Sequence, residues 1–157
     1  MKTNAMRILD SMGIEYESLY YEISPEMNTD IALHSARILG IPEEQTYKTL
    51  VMVSEAKNYF VFCVPALFEV SLKKAKQAAG CSQIDLIKQD QLLGLTGYIR
   101  GGCSPLGMKR HFPTFIEELA LLEDTICVSG GQRGLSLRLR PQDLARAAQA
   151  QFTSLVN

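Results

Sequence analysis

The sequence predicts an α+β fold built on a curled, barrel-like, mixed but mostly antiparallel sheet with helices around it. Three observations lead there. Short β-rich runs are spread along the whole chain. Capped helical stretches lie between them at irregular intervals. The regular strand–helix alternation of a doubly wound fold is missing. At 157 residues, 46% hydrophobic and 21% charged, the chain is read as one domain over 1–157.

The elements follow in order. Thr3 is placed to cap a first helix, in which Met6, Ile8, Leu9 and Met12 recur at helical spacing before Gly13 stops it. Ile14 to Tyr21 reads as a strand, and Ser24-Pro25 breaks it. Tyr20 and Tyr21 are adjacent, so one faces in and one out, and spacing leaves the choice open. Thr29 or Asp30 opens a second helix ending at Gly40, and Pro42-Glu43-Glu44 forms one further helical turn. Tyr47–Val53 and Tyr59–Val64 read as a hairpin across Ser54 to Asn58.

Ser71 caps a helix that runs to Ala79, with Gly80 as its stop. A short run at Gln83 to Leu86 and a short helix near Gln89 to Leu95 come next. Tyr98–Cys103 is expected to be a strand, as are Thr114–Ile116 and Thr125–Ser129. Leu135, Leu137 and Leu139 alternate with Ser136, Arg138 and Arg140, the pattern of a strand with one buried face. Pro141 starts a last helix, with Leu144, Ala147 and Ala148 inward.

Composition excludes several functions. No apolar run approaches the roughly 20 residues that span a bilayer, and the N-terminus lacks a signal-peptide pattern, so a cytoplasmic protein is expected. Four cysteines without a CxxC pair and two histidines without ligand spacing argue against a metal site or a disulfide framework. Cys63 and Cys127 read as buried thiols. The net charge of −1 disfavours a free-standing nucleic-acid binder. Charge is unevenly spread, however. Residues 1–47 carry three basic and eight acidic side chains, and residues 48–157 thirteen and nine. The basic excess therefore accompanies two glycine-rich loops, Gly101-Gly102-Cys103-Ser104-Pro105-Leu106-Gly107 and Ser129-Gly130-Gly131-Gln132-Arg133-Gly134. Bare backbone beside basic residues suits the close approach of an anionic ligand.

No nucleophile elbow, P-loop or dinucleotide fingerprint is present. Cys103, with His111 or His34 as base, is one nucleophile reading, but packing in an apolar run serves it as well. Lys48 is either a snorkelling lysine or a fixed cation for a phosphate or carbonyl oxygen. Lys109-Arg110-His111 reads as a solvated turn. Arg133 is divided between local carbonyls and an anion. Ser129 is divided between a substrate hydroxyl and the turn at Gly130-Gly131.

Together, Tyr47-Lys48-Thr49-Leu50 and the two glycine loops resemble the signatures of the YbaK/EbsC family, most closely its Cys-tRNA(Pro) deacylase branch. The resemblance runs nearly the whole length of the chain. It implies a fold related to the editing domain of prolyl-tRNA synthetase and hydrolysis of misacylated tRNA in trans, without a cofactor. It implies a partnership with tRNA(Pro) and prolyl-tRNA synthetase. It maps the active-site lysine to Lys48, the first-loop backbone to Gly101 and Gly102, the serine to Ser129 and the tyrosine to Tyr21. Gly130, Arg133 and Ser136 join them as candidate substrate contacts. Two positions depart: Ser136 stands where an aspartate is common, and Cys103 where a branched aliphatic is usual. The implied mechanism is substrate-assisted, the cysteine thiol attacking its own carbonyl. Deacylation of alanyl or seryl tRNA, and a non-catalytic aminoacyl- or nucleotide-binding module, are the alternatives.

Overall fold

Helix α1 (Asn4–Ser11) starts where its cap predicts: the Thr3 hydroxyl accepts the Met6 N–H at 3.2 Å. The structure is a computed structural model and describes residues 1–24 and 30–157. Pro25 and Thr29, expected as a break and an alternative cap, lie outside that description. Strand β1 (Glu17–Tyr20) is shorter than the expected Ile14 to Tyr21. Helix α2 (Ile31–Leu39) begins after Asp30 and ends at Gly40 in the left-handed region. A single turn, Glu43–Gln45, leads into the hairpin of β2 (Tyr47–Ser54) and β3 (Tyr59–Pro65).

Helix α3 (Leu72–Ala79) carries the predicted Ser71 cap, accepting the Lys74 N–H at 3.3 Å. Strand β4 (Ile84–Leu86) then pairs with the end of β2, and a turn at Gln89–Gln91 opens helix α4 (Leu92–Thr96). Strand β5 (Thr114–Glu117), a turn at Glu118–Leu122, and strands β6 (Ile126–Ser129) and β7 (Leu135–Leu139) follow. Pro141 is the first residue of helix α5 (Pro141–Ala148), and strand β8 (Ala150–Thr153) comes after it.

The expected strand over Tyr98–Cys103 is not formed. Tyr98 and Cys103 are buried while Ile99 and Arg100 are exposed, and the run pairs with no strand among the described residues. Instead the Gly102 N–H turns back to the Ile99 carbonyl at 2.9 Å, and the Tyr98 phenol donates across the loop to the Leu106 carbonyl at 2.6 Å. Strand β8 was not anticipated. Its sequence shows little alternation, and the preceding helix stops at Gln149, a non-glycine residue at φ 54°. Its ladder with β5 makes it a strand.

Two sheets result. One is antiparallel in the order β1-β7-β6. The other runs β4-β2-β3-β5-β8, antiparallel at β4-β2-β3 and parallel at β3-β5-β8. The sheet is mixed and mostly antiparallel, as expected. Barrel-like closure is not seen among the described residues: a bridge from Thr46 to Cys127 links two separate ladders. One core packs Leu9 of α1 and Leu144 of α5 against Leu135, Leu137 and Leu139 of β7. Full burial of each such side chain contributes about 1.5–3 kcal/mol. A second core lies beneath α3, where Phe62 and Phe115 stack at 5.6 Å.

The C-terminus is fastened by one acid. Glu117 is 2% exposed, and its carboxylate accepts the N–H groups of Leu119, Leu155 and Val156 at 2.7, 2.8 and 3.0 Å. Three donors compensate the cost of burying it.

Candidate active site

Strand β2 enters its sheet at the Thr46–Cys127 bridge, and the space beside that junction forms a cavity of about 280 Å³. Residues 46–50 line one side, and residues 127–129 of β6 with Ser136 of β7 another. Tyr21, just past β1, the start of α2, and the first glycine loop through Arg100, Gly101 and Cys103 complete the wall. Five expected site residues thus meet here: Tyr21, Lys48, Gly101, Ser129 and Ser136. Gly102, Gly130 and Arg133 do not line the cavity.

Gly102 instead holds the two glycine loops together. A Cβ at this position would lie 3.0 Å from the Arg133 nitrogen and the Gln132 carbonyl carbon. Only a bare α-carbon lets one loop rest on the backbone of the other. Its N–H is spent on Ile99. Gly101 has φ +84°, a left-handed conformation that favours glycine, and it faces Ile31 of α2. Among the described residues its N–H donates to no acceptor. Gly130 closes the second turn: its N–H donates to Leu135 at 2.9 Å, and its carbonyl accepts the Thr3 hydroxyl at 2.6 Å. The cap of α1 is therefore also an anchor for the second loop.

Lys48 is 24% exposed, and its Nζ lies 3.7 Å from Glu69, which is itself 94% exposed. An ion pair this loose leaves the ammonium available to a ligand. Arg100 adds a second cation to the wall. Arg133 packs beside Gly101 on the same face as Ile31 and bears on Tyr21. Burial pushes the Tyr21 phenol above its ordinary value, against hydrogen bonding with Gly134 and Ser35 and the Arg133 charge. Tyr20, its neighbour, is 61% exposed, so Tyr21 is the inward member of the pair.

Among the described residues the cavity holds no activated protein nucleophile. Burial pushes the Cys103 thiol up to about 12, against a hydrogen bond from Thr96, and the Cys127 thiol to about 11. Both are protonated at neutral pH and unreactive. Neither His34 nor His111 lines the wall. The Ser129 hydroxyl accepts the Gly131 N–H at 3.3 Å, which is its turn role, and it borders the cavity as well. Cys63 and Cys127 are buried as expected. No cluster of metal-binding side chains occurs among the described residues.

Several wall residues were not anticipated. Asp30 lines the cavity just before α2, Thr46 just before β2, and Thr49 from within β2. The Thr46 hydroxyl is buried without a hydrogen-bond partner. Thr49 stands opposite Cys63 in the β2–β3 register, and that thiol is its neighbour. Thr49 was within reach of the sequence, since it follows Lys48 in the same motif. Asp30 read only as a helix cap.

Residues 28–147 match the family described as aminoacyl-tRNA editing domain. The chain belongs to this family. A protein of Enterococcus faecalis (strain ATCC 700802 / V583) with the provisional name Cys-tRNA(Pro)/Cys-tRNA(Cys) deacylase EbsC is 36% identical over 154 residues, covering 98% of this chain and 93% of the relative. The YbaK/EbsC resemblance is thereby borne out. Among solved structures, a protein described as hypothetical superposes with a TM-score of 0.88 at 20% identity, over 99% of this chain and 100% of that one. A structure provisionally described as a trans-editing enzyme for prolyl-tRNA synthetase gives 0.81 at 24% identity, over 100% and 99%. At these identities the two structures establish the fold. Among the described residues of this editing-domain protein, no helix is long and apolar enough to cross a membrane.

Proposed function

We infer that the chain deacylates misacylated tRNA in trans, with the cysteinyl ester of tRNA(Pro) as its main substrate. One observation carries the mechanism: a cavity walled by a lysine and a glycine-loop backbone contains, among the described residues, no activated nucleophile and no histidine. A substrate that brings its own nucleophile suits such a site. In this reading the cysteine thiol attacks its own ester carbonyl. A carbon–sulfur bond forms, the bond to the ribose oxygen breaks, and the thiol proton passes to that oxygen. Water then opens the thiolactone to free cysteine.

The chain's residues constrain and polarise. The Gly101 N–H is the donor for the developing oxyanion, a role worth about 3–4 kcal/mol for one well-placed group. Lys48 holds the ribose–phosphate end as a compact cation. Arg133 packs against Gly101, while Ser129 and Ser136 border the amino-acid end. The name of the E. faecalis relative supports the cysteinyl substrate. A second site for cysteine is also what prolyl-tRNA synthesis needs, since one pocket separates near-isosteric amino acids poorly. With a net charge of −1 the protein would hold tRNA weakly alone. We place its action on tRNA still associated with prolyl-tRNA synthetase.

The test is a deacylation panel on cysteinyl, alanyl and seryl tRNA(Pro), with Lys48→Ala beside the wild type. The expected result is preferential release of cysteine and a loss of about 10²-fold in the variant. Its fold should survive, because a loose pair with a solvent-exposed Glu69 contributes at most about 1 kcal/mol. Equal rates for Lys48→Ala and wild type would refute the site. Faster release of alanine or serine would refute the thiol-assisted mechanism. Binding without turnover on any aminoacyl-tRNA would make the protein a binding module.

A further inference from the structure

We propose that Asp30 is the counter-ion for the α-ammonium group of the bound aminoacyl ester, and so selects substrates with a free amine. The proposal rests on the deacylase reading above and adds a residue to it.

An aminoacyl ester carries one positive charge beside its carbonyl. The cavity wall offers two cations, Lys48 and Arg100, which suit the phosphate end and repel an ammonium. Asp30 is the single carboxylate among the lining residues described. Glu69, the other acid nearby, is outside that wall. The Asp30 carboxylate is also uncommitted. As the residue preceding α2 it would ordinarily accept a backbone N–H of the first turn, yet it makes no such bond. Its left-handed backbone, φ 50° and ψ 42°, departs from the extended conformation in which capping is made. No ion pair engages it among the described residues.

Ser136, on the far wall, is neutral and cannot supply the missing charge. Among the described wall residues the acid is Asp30, just before α2.

The test uses two non-hydrolysable probes: 3′-deoxy-3′-(cysteinylamino)adenosine and its counterpart lacking the α-amine. Wild type and Asp30→Asn are compared by calorimetry at low and high salt. Asparagine tolerates the left-handed backbone, so α2 keeps its start. Wild type should prefer the amine-bearing probe about fivefold, the upper end for an exposed ion pair, with the preference fading in salt. Asp30→Asn should abolish the preference while binding the des-amino probe as wild type does. A preference that persists in Asp30→Asn, no preference in the wild type, or equal weakening toward both probes would each overturn the assignment. Deacylation of Cys-tRNA(Pro) by the same samples separates the two readings. Turnover with no amine preference sinks Asp30 alone; an Asp30-dependent preference without turnover sinks the deacylase reading and leaves Asp30 standing.

Discussion

Replacing Gly102 by alanine tests the contact between the two glycine loops most directly. The new Cβ would meet the Arg133 nitrogen and the Gln132 carbonyl carbon at 3.0 Å and the Gln132 α-carbon at 3.1 Å. Ordinary contact between such atoms is about 3.5–4.0 Å, so the loops must part by roughly 0.5 Å. The obstacles are backbone atoms on both sides and cannot swing aside. Overpacking of this kind costs about 1–3 kcal/mol. In a chain of this size each kcal/mol lowers Tm by about 2–4 °C, which gives a fall of roughly 2–12 °C. The displacement also moves Gly101 on the cavity wall. A 1 Å error in catalytic geometry costs about 10²-fold, so half of that predicts about a tenfold slower single-turnover deacylation. The control is Gly94→Ala in α4, where a Cβ meets nothing within 4 Å. It should leave the rate unchanged and raise stability by about 0.5–1 kcal/mol. If Gly102→Ala melts with the wild type and turns over at the wild-type rate, the loops do not rest on each other as described.

Four further outcomes follow from the same structure. Glu117→Ala strands two buried N–H groups and a part-buried third and should cost about 2–6 kcal/mol in urea unfolding, with the C-terminal residues losing amide protection first. In thiol titration at pH 8, Cys81, the one partly exposed thiol, should react with a disulfide reagent well before buried Cys63, Cys103 and Cys127. Cys103→Ser should keep most of its deacylase activity, whereas a thiol-hydrolase mechanism requires its loss. Hydrogen bonds from the Ser82 hydroxyl and nearby backbone N–H groups hold the Glu55 carboxyl down at about 2, against an ordinary 4.5. The stability it contributes is therefore complete above about pH 4.5 and is lost as pH falls toward 2, and Glu55→Gln should flatten the stability profile in that window.

The local elements were legible where local chemistry decides them. Thr3 and Ser71 cap their helices, Gly40 and Gly80 stop theirs, and the Tyr47–Ser54 hairpin strand follows its β-rich run. Prediction failed where a partner decides. Tyr98–Cys103 has strand composition but no neighbour to pair with, and β8 has weak composition but a ready edge on β5. The site divides in the same way. Lys48 stood out as a cation within an apolar strand, and Gly101 as bare backbone beside a basic residue. Gly102 was marked by the same logic, but the ligand its backbone approaches is the second loop.

What the sequence determined by itself was the inventory: an α+β chain with two glycine loops, a lone lysine in a β-strand, and no assembled nucleophile and base. Tertiary structure alone decided which of these meet. It turned Tyr21 inward and Tyr20 outward, buried Cys103 until its thiol is inert, and set Asp30 on the cavity wall. The reason is physical. Propensity, capping and alternation act over a few neighbouring residues, whereas a cavity is bounded by residues more than a hundred positions apart. Its shape and charge are fixed only when the two sheets join at Thr46 and Cys127.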